Sequence, residues 1–260
     1  MSDRLSHRGT PPVPRAAEPF SAPGGPHGAL VLHGFTGNPS SMRGVAEALA
    51  AAGFAVELPL LPGHGTSVED MITTGFADWS ACVEQAYLEL AGRVARIVVV
   101  GLSMGGTLAA WVTARNPATA GLVAVNGMFD PPAPSFLDLL RTSLEQGVDR
   151  FAAIGSDIAL PEMEEGAYDA APIAPMISMM EAVTELHGRL GEIRCPVLIL
   201  TSPQDHVVPP VSSDVLAAAV GGPVERVMLE RSYHVAPLDF DRDLVEKRTV
   251  EFALRVTGAH

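Results

Sequence analysis

The five residues Gly101-Leu102-Ser103-Met104-Gly105 follow the branched apolar run Ile97 to Val100 and precede a helical pattern through Leu108, Trp111 and Val112. The pattern G-x-S-x-G is weak by itself; its strand-to-helix setting gives it meaning, because flanking glycines permit a strained turn that lifts a serine hydroxyl above a sheet edge. The bland alternative is a glycine-rich turn packing helix on strand. A serine hydroxyl is a poor nucleophile at neutral pH, so Ser103 needs a base, and the base needs an orienting carboxylate. Asp205 follows the apolar run Val197 to Leu200, and His234 follows the run ending near Leu229. Each therefore sits in a loop at the carboxyl end of a strand, as Ser103 does. Asp130, after the run ending at Val125, is a rival acid, and His206, directly after Asp205, reads as a surface histidine. Asp239, Asp241 and Asp243 read as caps at the start of the last helix, where carboxylates meet the helix dipole favourably.

Attack on an ester carbonyl creates an oxyanion that needs N–H donors. Leu32-His33-Gly34-Phe35-Thr36-Gly37 follows the first strong strand signal, and the backbone N–H groups of Phe35 and Met104 are the expected pair. His33 reads as a brace for this loop, and His64, within Leu61-Pro62-Gly63-His64-Gly65, as a turn residue bonded to backbone. No cluster has metal-ligand spacing. Cys82 and Cys195 lie far apart and read as buried thiols. The chemistry calls for no metal and no cofactor.

Strand signals at 29–32, 54–58, 97–100, 122–125, 197–200 and 224–229 alternate with helical stretches at 42–52, 78–91, 104–114, 211–220 and 238–256. Continuous apolar strands separated by amphipathic helices predict an α/β fold, with a mostly parallel sheet covered on both faces. The charge-free run from Ile97 to Ala114 is long enough to suggest a membrane span, but its change of period reads better as a buried strand entering a buried helix. Six prolines in the first 27 residues predict a flexible leader over 1–27, with no secretory signal, hence a cytoplasmic protein. The core then comprises 28–127 and 191–260. Residues 128–190 form a helix-compatible insertion, expected as a cap over the carboxyl edge of the sheet.

The 260 residues carry 30 acids against 17 Lys and Arg, a formal charge of −13 that disfavours nucleic acid and anionic membrane surfaces as partners. Residues 128 to 188 hold eleven of the acids against Arg141 and Arg150. This predicts a solvent-facing module separate from the main core, with Glu162, Glu164 and Glu165 on a solvated face. Five of the ten methionines (Met128, Met163, Met176, Met179, Met180) also fall there, near Phe129, Phe136, Phe151 and Ile173. They suit either an adaptable apolar pocket or ordinary packing.

The segments LHGFTGNPSSM, LPLLPGHG, ADW, VVVGLSMGGTLA, SPQDHVVP and SYHV resemble the α/β-hydrolase superfamily, and within it most resemble the bacterial carboxylesterase and monoacylglycerol lipase group. The similarity covers about residues 28 to 256. It implies an α/β-hydrolase fold with an inserted helical cap, with Ser103 as nucleophile, Asp205 as orienting acid, His234 as general base, and Phe35 and Met104 as oxyanion donors. Tyr233 stands where relatives commonly have a small residue. The expected function is a serine carboxylic ester hydrolase acting through an acyl-enzyme on neutral short- to medium-chain esters, monoacylglycerols included. The partner is then a small-molecule ester, without integral membrane association, bound by a monomer or homodimer. Acidity over the cap disfavours anionic esters such as acyl-coenzyme A. The same residues could serve thioester, amide, carbon–carbon bond or peroxyacid chemistry, or survive in a non-catalytic binding protein.

Overall fold

Branched residues buried on both sides build the centre of the molecule. In the computed structural model, which describes residues 17–153 and 156–259, strands β1 (Phe20–Ala22), β2 (His27–Leu32), β3 (Ala55–Leu58), β4 (Arg96–Leu102), β5 (Gly121–Val125), β8 (Val197–Thr201) and β9 (Val224–Met228) form one seven-stranded sheet. Its order is β1-β3-β2-β4-β5-β8-β9, and every pairing is parallel except that of β1 with β3. Leu30, Leu32, Ile97 and Val99 face one layer of the core, whereas Ala29, Val31, Val98 and Val100 face the other. That division explains why these strands read as unbroken apolar runs. Helices α1 (Arg43–Ala51) and α8 (Arg242–Thr257) cover one face. On the other lie α3 (Phe76–Ala91) and α4 (Met104–Arg115), with α7 (Val211–Ala219) adding Leu216. The run from Ile97 to Ala114 is β4 followed by α4, and among the described residues no helix is long and apolar enough to cross a membrane.

Two expectations are corrected here. The leader does not extend to residue 27: Phe20–Ala22 form β1, paired antiparallel with β3 in the register Phe20 to Leu58 and Ala22 to Val56. Pro19 and Pro23 flank this strand without interrupting it, and an edge strand needs N–H donors on one side only. Pro11, Pro12 and Pro14 lie outside the described residues. The second correction concerns the acidic insertion, which is not separate from the main core. It contains α5 (Pro134–Glu145), a small antiparallel ribbon of β6 (Arg150–Ala152) and β7 (Ala170–Pro172), and α6 (Ile173–His187). Phe129, Leu140, Ile173, Ile177, Ala182 and Leu186 belong to the same buried cluster as Leu30, Val99 and Leu108. Nine of its eleven acids are exposed, so its charge lies on outer faces while its inner faces complete the core.

The short helix α2 (Val68–Ile72), capped by Ser67 Oγ accepting from the Asp70 N–H, gave no strong periodic signal. It follows the Gly63–Thr66 turn, which Tyr168 of the insertion clamps. The Tyr168 hydroxyl donates to Gly63 O at 2.8 Å and accepts from the Thr66 N–H at 2.9 Å.

Candidate active site

At the carboxyl end of β4 the chain turns sharply into α4. Ser103, at the turn, has φ 55° and ψ −122°, a conformation that costs a non-glycine residue about 1–3 kcal/mol and persists only where its surroundings enforce it. The enforcement is visible. Ser103 N–H donates to Val125 O at 2.9 Å, and Ser103 O accepts from the Gly106 N–H at 2.9 Å. A Cβ on Gly101 would lie 2.0 Å from Gly105 O, and one on Gly105 would lie 2.4 Å from Leu32 O. Both glycines of the motif are thus needed for α4, β4 and the end of β2 to approach this closely. Gly34 lies against Ser103, where an added Cβ would stand 3.4 Å from the serine Cβ. Met104 is the first residue of α4, so its N–H has no intrahelical acceptor and points with the positive end of the helix dipole. Phe35, Met104, Ser103 and His234 all border one cavity.

His234 and Asp205 meet in the loops after β9 and β8. His234 Nδ1–H donates to Asp205 Oδ2 at 2.7 Å, with the two side chains 8% and 1% exposed. The other carboxylate oxygen of Asp205 accepts from the Val207 and Val208 N–H groups, each at 2.8 Å. The imidazole is therefore held with its Nε2 free to act as a base. Asp130 is exposed and lies away from this pair, in the wall of a separate hollow with Pro131 and Val211. His206 is exposed, as expected, but it is also bonded: its Nδ1 meets Asp157 Oδ1 at 2.8 Å. The Tyr233 ring stands edge-on to His206, with centroids 4.6 Å apart, so the larger residue before His234 is accommodated by that contact.

Several residues that hold the loop carrying His234 have no motif. Asn126, one residue beyond β5 and at φ 46°, donates from Nδ2 to His234 O at 2.8 Å and to Ser202 Oγ at 3.0 Å, while its Oδ1 accepts from the Ser202 N–H. Asp241 occupies the N-cap position of α8 but its side chain makes no capping bond, and Asp239 lies outside that helix. Asp239 is fully buried and accepts from the N–H groups of Ala159, Leu160, Tyr233 and Phe240. Asp241 Oδ2 accepts from Arg231 N–H and Ser232 Oγ. A buried carboxylate is stable only with such donors, and these donors come largely from the His234 loop and the insertion. Of the three aspartates only Asp243 lies in the first turn of α8.

The cavity has a volume of about 420 Å³. Its walls are mostly apolar, with Met128, Met176, Met179, Met180, Phe136 and Phe151 contributed by the insertion. Met163 is not among the lining residues, and Phe129 and Ile173 are buried in the core, so these side chains divide between pocket and packing. Glu165 is a correction. It is buried, not solvated, and it borders the cavity. Its carboxylate lies over Gly37, where a Cβ would stand 2.6 Å from Oε1. Burial raises its pKa above the ordinary carboxylate value, against the opposing attraction of His234.

His33 and His64 are braces. Leu61 N–H donates to His33 Nε2 at 3.2 Å, which leaves Nδ1–H to donate to Gly34 O at 3.0 Å, and His64 Nδ1 bonds Pro62 O at 3.0 Å. The rings stack edge to face with Trp79 beneath His64. Burial lowers His33 to about 3, with His64 adding to the effect, and lowers His64 to about 4. Both histidines bind protons in the unfolded chain near pH 6.5 but not in the folded one. Their contribution to stability is complete above about pH 6.5 and is lost as pH falls from there toward 4 and 3. Urea denaturation of wild type and His33→Asn between pH 5 and 8 is expected to show a shallower loss toward acid in the variant. An unchanged slope would contradict this.

Among the described residues no group of three His, Cys, Asp or Glu could hold a metal ion. A doubly covered parallel sheet, a serine on a strained strand-to-helix turn and a buried histidine–aspartate pair over one cavity define a hydrolase of the α/β class. The chain belongs to the alpha/beta hydrolase family, which it matches over residues 29–247. It is 42% identical over 248 residues to a thermostable monoacylglycerol lipase of Bacillus sp. (strain H-257), covering 95% of this chain and 98% of that protein. A carboxylesterase of Bacillus subtilis (strain 168) is 25% identical over 237 residues, covering 90% and 95%. A solved structure from the metagenome-derived lipolytic enzymes LipS and LipT superposes with a TM-score of 0.89 at 35% identity, covering 94% of this chain and all of that one.

Proposed function

We propose that the chain is a serine carboxylic ester hydrolase whose substrates are neutral monoacylglycerols and similar esters. The observation that carries the substrate class is the cavity: apolar walls suited to an acyl chain, and the buried carboxyl group of Glu165, suited to the hydroxyls of a polyol. Relatedness to a monoacylglycerol lipase at 42% identity supports the same reading. His234 Nε2 takes the Ser103 proton as Oγ attacks the ester carbonyl. The Phe35 and Met104 N–H groups hold the oxyanion. Collapse expels the alcohol, which receives the proton from His234, and leaves an acyl-Ser103. Water, deprotonated by His234, then releases the acid and restores the serine. The reaction requires no metal and no cofactor.

Residues 128–190 act in this proposal as the cap, with their exposed acids set against anionic esters. A cytoplasmic location, consistent with the free thiols Cys82 and Cys195, and a monomeric or homodimeric state belong to the same proposal. Glu165→Leu tests the substrate class. It is expected to lower kcat/KM for a medium-chain monoacylglycerol by about 10-fold, the effect of losing hydrogen bonds to a buried carboxyl group, while leaving the methyl ester of the same acid little changed. Equal losses on both esters would remove Glu165 from alcohol recognition.

A further inference from the structure

The geometry points to Asp157, in the insertion, as the positioning residue that fixes the acid loop and the base loop against each other. This inference rests on the ester-hydrolase reading above. One oxygen of Asp157, Oδ2, accepts from two backbone N–H groups at 3.1 Å each: that of His206, the residue after Asp205, and that of His234 itself. The other oxygen, Oδ1, meets His206 Nδ1, and the backbone carbonyl of Asp157 accepts from Val235 N–H at 3.1 Å. The Asp157 side chain is 10% exposed and borders the same cavity as Ser103 and His234.

Asp205 and His234 are carried by separate loops, after β8 and β9, and the 2.7 Å bond between them depends on how those loops sit relative to each other. Asp157 is a cross-brace at that joint, with one atom bonded to both loops within a residue of each catalytic group. The adjoining strap is fastened as well, because Ala159 and Leu160 donate to Asp239, which also holds Tyr233 N–H. Seating of the insertion and alignment of the acid and base are therefore one structural event. Displacing Asp157 from the cavity rim would remove the acceptors of the His234 and Val235 N–H groups together.

The test compares Asp157→Ala, Asp157→Asn and His206→Ala. The alanine variant loses the brace and is expected to lower kcat on a nitrophenyl octanoate ester by about 30- to 100-fold, with KM within about threefold, because a misplaced base affects chemistry more than binding. Asparagine can turn its carbonyl oxygen to the two backbone N–H groups and its amide to His206 Nδ1 in the other tautomer, so it is expected to stay within about fivefold of wild type. His206→Ala retains both backbone bonds and is expected to fall no more than about threefold. The downfield imidazole N–H resonance of His234 supplies a readout independent of any substrate. It is expected to broaden or exchange faster in Asp157→Ala and to persist in Asp157→Asn. Wild-type kcat in Asp157→Ala, an asparagine variant as impaired as alanine, a His206→Ala loss equal to that of Asp157→Ala, or an unmoved resonance would each overturn the inference. Failure of the wild type to hydrolyse any ester would instead overturn the proposed function, leaving the resonance comparison to decide the role of Asp157.

Discussion

Ser103→Ala is expected to lower kcat for a nitrophenyl octanoate ester by about 10⁵- to 10⁶-fold, and to abolish labelling by a serine-directed phosphonate. The magnitude follows from the way a nucleophile, base and acid act as one unit: with Oγ gone, the aligned His234 and Asp205 have no hydroxyl to activate. What remains is polarisation of the carbonyl by N–H donors and adventitious attack by water. The same substitution is expected to leave folding nearly unchanged. Ser103 has no side-chain capping bond on α4, and alanine carries the same Cβ through the strained φ of 55°. Thermal unfolding of the variant should fall within about 1 kcal/mol of wild type, as for other replacements that remove no buried contact. Retained turnover in a folded Ser103→Ala would remove the serine from the mechanism. Loss of turnover together with loss of folding would show that the turn depends on the hydroxyl.

The positions of Ser103 and Asp205 were legible because each follows a strand buried on both faces, β4 and β8, the strongest signal in a parallel sheet, whereas His234 follows β9, an edge strand of alternating, part-exposed residues. Residues that work through distant partners were not. Glu165 sits beside Glu162 and Glu164, and nothing local distinguishes it; it is buried because the insertion folds it over Gly37. Asp239 and Asp241 stand where helix caps stand, so the local rule named them caps. Their actual donors include Ala159, Leu160 and Arg231, which no short-range pattern brings near. Asn126 and Asp157 lie in loops without motif, and only the fold shows that each bonds the backbone of His234. The burial of the insertion's inner faces is hidden in the sequence for a related reason. Net charge does not report which face carries it: on α6, Glu181 and Glu185 are exposed while Ile177, Ala182 and Leu186 are buried. Short edge elements fail differently, since three residues between Pro19 and Pro23 are too few to show any period.

Asp205→Asn is the second substitution with a very large expected effect, and the hydrogen bonds around Asp205 dictate its direction. Oδ1 accepts from the Val207 and Val208 N–H groups, whereas Oδ2 accepts from His234 Nδ1. An asparagine here must keep its carbonyl oxygen on the two backbone donors, because reversing the amide would set its NH₂ against two N–H groups in a buried site. The amide NH₂ then faces His234 Nδ1, which must become an acceptor, and the ring proton moves to Nε2. In that tautomer Nε2 cannot take the Ser103 proton. The expected result is a fall in kcat of about 10⁴-fold with little change in KM, the scale seen where a triad acid is made an amide and the histidine is left in the wrong tautomer. Asp205→Ala makes the comparison decisive. It abandons two backbone N–H groups and is expected to be less stable, but it imposes no tautomer, so its activity should be equal to or higher than that of the asparagine variant. Activity in Asp205→Asn within tenfold of wild type would show that a different carboxylate orients His234, and Glu165, which borders the same cavity, would be the residue to substitute next.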